Sequence, residues 1–157
     1  MNRFTIDLFC GLQQFDQDYD DIDDTFTICI KYHGIRLELN SQLSKISTYD
    51  MIRFLENIEN NIETSLRFDN DVIGSYIYFD NNIIQIFFYD TNDDLCHNSF
   101  NIDIELDHQL RNIFLNTIRE LHIFKIRYEI IINRYYDDLD NNIEHGNYRD
   151  EIEVQQP

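Results

Sequence analysis

The sequence predicts an α+β fold: a mainly antiparallel sheet of about five to six strands with two helices packed on it, the second helix long. Three observations carry this. Short segments alternate apolar and polar residues, most cleanly Phe100, Ile102, Ile104 and Leu106 against Asn101, Asp103 and Glu105. The pairs His33-Gly34 and Asn81-Asn82 fall between such segments, where a tight hairpin needs residues that accept positive φ. From Asp107 to about residue 136 there is no Gly or Pro, and Leu110, Ile113, Phe114, Ile118, Leu121, Phe124, Tyr128, Ile131, Ile132 and Tyr135 keep a helical period.

In chain order, Phe4, Ile6 and Leu8 alternate as a first strand, and an acidic loop over residues 15–25 follows. Residues 25–32 and 35–40 read as a hairpin about His33-Gly34. Ser47 stands three residues before Asp50, an arrangement that satisfies free amides at a helix start, and Met51, Phe54, Leu55, Ile58 and Ile62 then repeat at helical spacing. Strands follow at about residues 65–69, 74–80, 83–89 and 99–106. The second helix takes Asp107 as its N-cap. Its residues 124–132 also alternate as a strand would, with Lys125, Arg127 and Glu129 on one side. Continuity decides for helix: residues 121–124 hold no turn chemistry, and isoleucine is abundant throughout this chain, so its β preference weighs less here. Residues 1–136 make one α+β domain, of a size that buries a real core. Residues 137–157 form an acidic tail expected to be disordered alone.

The chain has 30 Asp and Glu against 12 Lys and Arg, a formal charge of -18. Alanine and tryptophan are absent and isoleucine and asparagine abundant, a usage that an AT-rich coding sequence would produce. That bias should also raise lysine, yet only Lys31, Lys45 and Lys125 occur, which argues that the acidity is selected. It is also local. Residues 15–25 and 137–157 hold thirteen acids against Arg149, a net of -12, which leaves -6 for the rest. Like charges this close repel across a Debye length of about 8 Å, so a cationic partner gains by neutralising them. Direct binding of nucleic acid or an anionic membrane is disfavoured for the same reason. Three widely spaced cysteines make a poor disulfide framework and fit a reducing compartment. No apolar run reaches a membrane span, and the N-terminus, interrupted by Asp7, is a poor secretory signal. A cytoplasmic protein is expected.

Two surfaces stand out as candidate sites. The first is the acidic loop, with Asp16, Asp18, Asp20, Asp21, Asp23 and Asp24 as partner-binding carboxylates and Tyr19 beside them; Tyr19 and Ile22 favour a contact surface over a solubilising tract. Asp16, Asp18 and Asp20 match the first ligands of a calcium loop, but Asp21 stands where that loop needs glycine and Thr27 where it needs glutamate. Closely spaced carboxylates can instead mimic the phosphates of a nucleic acid in a basic groove. The second surface is Ile123, Ile126 and Ile130, which recur on the side of the long helix away from its core stripe and suit self-association or a partner contact.

Cys29 with His33, and Cys96 with His97, lack the spacing of zinc ribbons or fingers, so neither a metal nor another cofactor is expected. Four glycines build no phosphate-cradling loop, and no nucleophile elbow, Walker or Rossmann pattern occurs; the expectation is a protein that is not an enzyme. In size, acidity and α+β patterning alone the chain resembles toxin-immunity proteins and viral or phage inhibitors, by analogy and without a shared motif. That implies an inhibitor that sequesters a basic protein, such as a nuclease-type toxin or a nucleic-acid-handling defence complex. The alternative is an oligomeric assembly or scaffold protein, of viral type, that forms a homodimer or larger array through the isoleucine strip.

Overall fold

The computed structural model describes residues 4–13, 22–70, 73–90 and 100–154, the last stretch with side chains to residue 141. Its described residues are α+β. Strands β1 (Phe4–Cys10), β2 (Thr25–Tyr32) and β3 (Ile35–Gln42) form one antiparallel sheet in that order. Helix α1 (Thr48–Glu59) follows, and β4 (Thr64–Asp69), β5 (Ile73–Asp80), β6 (Ile83–Asp90) and β7 (Phe100–Glu105) form a second antiparallel sheet, again in sequence order. Helix α2 (His108–Val154) closes the order.

The expected single sheet of five to six strands is thus corrected to two sheets of three and four strands. The cause is the connection after β3. A 3-10 turn at Leu43–Lys45 and then α1 carry the chain away from the sheet, so β4 does not continue the ladder. The C-terminal ends of β3 and β4 still meet, where Ser41 Oγ donates to the Asp69 carbonyl at 2.5 Å and Asn70 Nδ2 to the Asn40 carbonyl at 3.3 Å.

Both expected hairpin turns form. His33 and Gly34 have φ of 49° and 77°, and Asn81 and Asn82 have 50° and 63°. Positive φ at both central residues is the geometry whose twist matches the flanking strands. At the start of α1, Ser47 Oγ accepts from the Asp50 amide at 3.3 Å. The helix ends earlier than its apolar repeat suggests, because Asn61 turns left-handed at φ 56° and leaves Ile62 exposed past the end. Asp107 Oδ1 accepts from the Leu110 amide at 2.8 Å and caps α2 as expected. Residues 123–136 are helical, and α2 runs on past residue 136 to Val154: 47 residues, about 70 Å at 1.5 Å each.

The inner faces of both sheets and one side of each helix share one core. Phe26 meets Phe68 edge-on at 6.0 Å and joins the sheets; Phe54 meets Phe114 at 6.2 Å and joins the helices. The helices pack antiparallel. At one end the Arg111 guanidinium donates to the carbonyls of Ile58 and Glu59, the open C-terminus of α1, where a cation is favoured. At the other end Thr48 Oγ1 donates to Glu129 at 2.8 Å. Beside it Lys125, 5% exposed, donates from Nζ to the Leu43 carbonyl at 2.8 Å.

Candidate protein-binding surfaces

Of the acidic loop, Asp16, Asp18, Tyr19, Asp20 and Asp21 lie outside the described residues, as does the calcium-like start of the loop. The structure places the two that end it. Asp23 Oδ1 accepts from the Thr25 amide at 3.0 Å and from Thr25 Oγ1 at 2.5 Å, a local turn that leads into β2. Its carboxylate also lies against Gly11, where an added Cβ would overlap it. Asp24 holds the turn after β3: its carbonyl accepts from the Leu43 amide at 2.8 Å and its Oδ2 from the Ser44 amide at 3.1 Å. Asp23 and Asp24 therefore anchor the loop, and Ile22, half-buried, packs against the core. Thr25, Thr27, Asn40 and Asn70 line one shallow depression, so the loop's C-terminal end sits beside the junction of the two sheets.

Ile123, Ile126 and Ile130 are 52%, 43% and 46% exposed, on the side of α2 away from the core, as their spacing predicts. Ile113, at 38%, lies on a different side of the helix and lines a cavity beside Phe4 and Leu110. From residue 133 to 141 every side chain but the half-buried Tyr135 is exposed.

A third surface was not singled out in the sequence. Residues of β4 to β7 that point away from the helices form an outer face, and its centre is aromatic. Tyr76 and Phe87, cross-strand partners, stack with ring centroids 4.5 Å apart and planes 11° from parallel. Tyr89 lies 6.2 Å from Tyr76 and donates to Asp69 Oδ1 at 2.9 Å, and the Arg67 guanidinium sits 5.7 Å from the Tyr89 ring centroid. Gly74 is required here, because a Cβ at that position would fall within the Tyr89 ring that crosses it. Tyr78 donates to the Glu63 carboxylate. All four rings are half-buried. The signal was in the sequence: Tyr76 and Tyr78 alternate with Ile77 and Phe79, so both faces of β5 are apolar or amphipathic, and tyrosine on an uncovered face keeps its hydroxyl in water.

The environment of these phenols gives a pH dependence. The bond to Glu63 stabilises the protonated phenol and pushes the Tyr78 pKa from 10 up to about 12. Burial first, and then the Asp69 bond, raise that of Tyr89. An unfolded chain loses its Tyr78 proton near pH 10 while the folded chain keeps it to about 12. The stabilisation is thus complete below pH 10 and is lost as pH rises through 12. Glu63→Gln is expected to return the titration of Tyr78 toward 10, read from tyrosine carbon shifts by NMR. An unchanged midpoint would show that Glu63 is not the cause.

The described residues include a cavity of about 620 Å³ between β1, the β5–β6 turn and the start of α2. Glu105, Asp107 and Tyr32 are its titratable groups, and no histidine, cysteine or serine joins them to make a nucleophile with its base. His33 packs against Tyr32 with rings 4.1 Å apart, Cys10 and Cys29 are buried and free, and Cys96 and His97 lie outside the described residues. Among the described residues no three His, Cys, Asp or Glu side chains are grouped to hold a metal ion, and no helix is long and apolar enough to cross a membrane.

No family model matches the chain, and no curated protein or solved structure does.

Proposed function

We infer that the chain is a non-catalytic binding protein that inhibits or sequesters a basic protein, of the kind that handles or cleaves nucleic acid, by offering carboxylates in place of phosphates. The observation that carries this reading is the concentration of charge: two short stretches hold -12 of the net -18. Such a field raises the encounter rate with a cationic surface and makes binding salt-dependent. Asp23 and Asp24, which end that stretch, are bonded into the body through Thr25 and Ser44.

The test begins with the full chain as bait at low salt and a purified basic partner recovered at high salt. Asn at Asp16, Asp18, Asp20 and Asp21 is expected to weaken that complex about tenfold at low salt and to flatten its salt dependence. Equal affinity and an equal salt slope in the variant would sink the reading. A second reading, self-assembly, is favoured by the exposure of Ile123, Ile126 and Ile130. Under it, Ile126→Glu dissociates an oligomer seen by sedimentation and the loop substitutions do not.

A further inference from the structure

We propose that the outer face of the four-stranded sheet is the docking surface for an arginine-rich segment of the basic partner, whose guanidinium groups stack on Tyr76 and Phe87 and pair with Asp80 and Asp103. This rests on the partner being basic, as inferred above, and names where and by what chemistry it is gripped.

Neither helix packs over this face among the described residues, and its aromatic centre is ringed by acid. Glu63, Asp69, Asp80, Asp103 and Glu105 lie on or beside it, against Arg67 as its one base among the described residues. The side-chain carboxylates of Asp80 and Asp103 accept no hydrogen bond and form no ion pair among the described residues. They flank a depression of about 260 Å³ that Tyr78, Ile83 and Gln85 also line, open on the outer face. An apolar wall with carboxylates at its mouth suits a side chain with an aliphatic stem and a cationic tip.

The face already holds one guanidinium in this manner. Arg67 lies over Tyr89 and reaches Asp69 Oδ1 at 3.6 Å, so one ring and one carboxylate together receive it. Tyr76 and Phe87 are the next rings along the sheet, and among the described residues no cation lies over either. Guanidinium is planar and weakly hydrated and stacks on rings, whereas ammonium is compact and strongly hydrated, so arginine is favoured over lysine. Stacking could also hold a nucleic-acid base, but the adjoining phosphates would face several carboxylates and a single arginine, and single-strand binding depends on a cationic groove. The Tyr89 and Asp69 end of the face adjoins the sheet junction where the acidic loop returns to β2. A segment leaving the face at that end would come next to Asp23 and Asp24, and the two surfaces would act on one partner.

The experiment titrates the full chain at low salt with an arginine octapeptide, a lysine octapeptide and an oligothymidylate, by calorimetry and by NMR amide shifts. The arginine peptide is expected to bind about tenfold more tightly than the lysine peptide and to shift amides of β5 and β6. Two variants, Tyr76→Ser with Phe87→Thr, and Asp80→Asn with Asp103→Asn, are each expected to weaken it about tenfold, while Ile52→Ala leaves it unchanged. The aspartate pair, lying at the surface, keeps the test decisive if the aromatic pair fails to fold. Shifts confined to residues 15–25 or 137–157, with both variants equal to the parent, would overturn this docking site and leave the basic-partner reading standing. Binding of neither peptide would overturn both. Oligothymidylate binding on β5 and β6, or a dimer that dissociates in the aromatic variant, would assign the face to another occupant and overturn the proposal.

Discussion

Alanine in place of Phe54 is expected to lower the unfolding free energy by about 3–5 kcal/mol, the usual range for removing a buried phenylalanine. Phe54 is fully buried on α1 and meets Phe114 of α2 edge-on, so the substitution opens a void where the two helices join. The antiparallel pairing limits collapse of that void. Arg111 fixes α1 to α2 at one end and Thr48 fixes it through Glu129 at the other, so α1 cannot slide inward to refill the space. Urea unfolding should show a lower midpoint with an unchanged slope, because a cavity alters stability without changing the surface exposed on unfolding. Ile52→Ala on the solvent side of the same helix is the control, expected within about 0.5 kcal/mol of the parent. A Phe54→Ala protein as stable as that control would show that the helices do not meet through this residue.

What was legible in the sequence follows from how local each feature is. The turns at His33-Gly34 and Asn81-Asn82, the Ser47 and Asp107 caps and the exposed isoleucine strip each depend on a few neighbouring residues, and each appears as expected. The division into two sheets does not. It is decided where Ser41 meets Asp69, 28 positions on, and Asn40 meets Asn70, 30 positions on, across the strand ends, and alternation within a strand carries no information about its neighbours. The aromatic face was hidden differently. Tyr76 and Tyr78 are visible as alternate residues of β5, but that their side is uncovered depends on where the helices pack. For the acidic loop, sequence gave the charge but not the division of labour: Asp23 and Asp24, indistinguishable in composition from the aspartates before them, are engaged with Thr25 and Ser44.

Lys125 is the other residue whose role only the packing reveals, and removing it is expected to be costly. Its position four residues after Leu121 turns it to the core side of α2, where the alkyl stem is buried and Nζ reaches the Leu43 carbonyl. Its ion pair with Glu129, at 3.5 Å, contributes little, because that carboxylate is 45% exposed and water screens it. The bond to Leu43 matters more, since Leu43 is fully buried and its carbonyl would keep only the longer bond from the Ile46 amide at 3.3 Å. Lys125→Met keeps the packing and loses that bond, an expected cost of about 1–3 kcal/mol. Lys125→Ala also loses the stem, for about 2–4 kcal/mol in all. A hydrophobic replacement for a buried charge is often neutral. Here it should not be, because the shorter, charge-assisted bond to a buried backbone carbonyl is lost and only the 3.3 Å bond from the Ile46 amide remains. The same turn holds the acidic loop, as the Leu43 and Ser44 amides donate to Asp24. Lys125→Met is therefore also expected to speed hydrogen exchange at the amides of Leu43 and Ser44 more than at those of β5. A Met variant at least as stable as the parent, with unchanged exchange at those two amides, would show that the turn is held without Lys125.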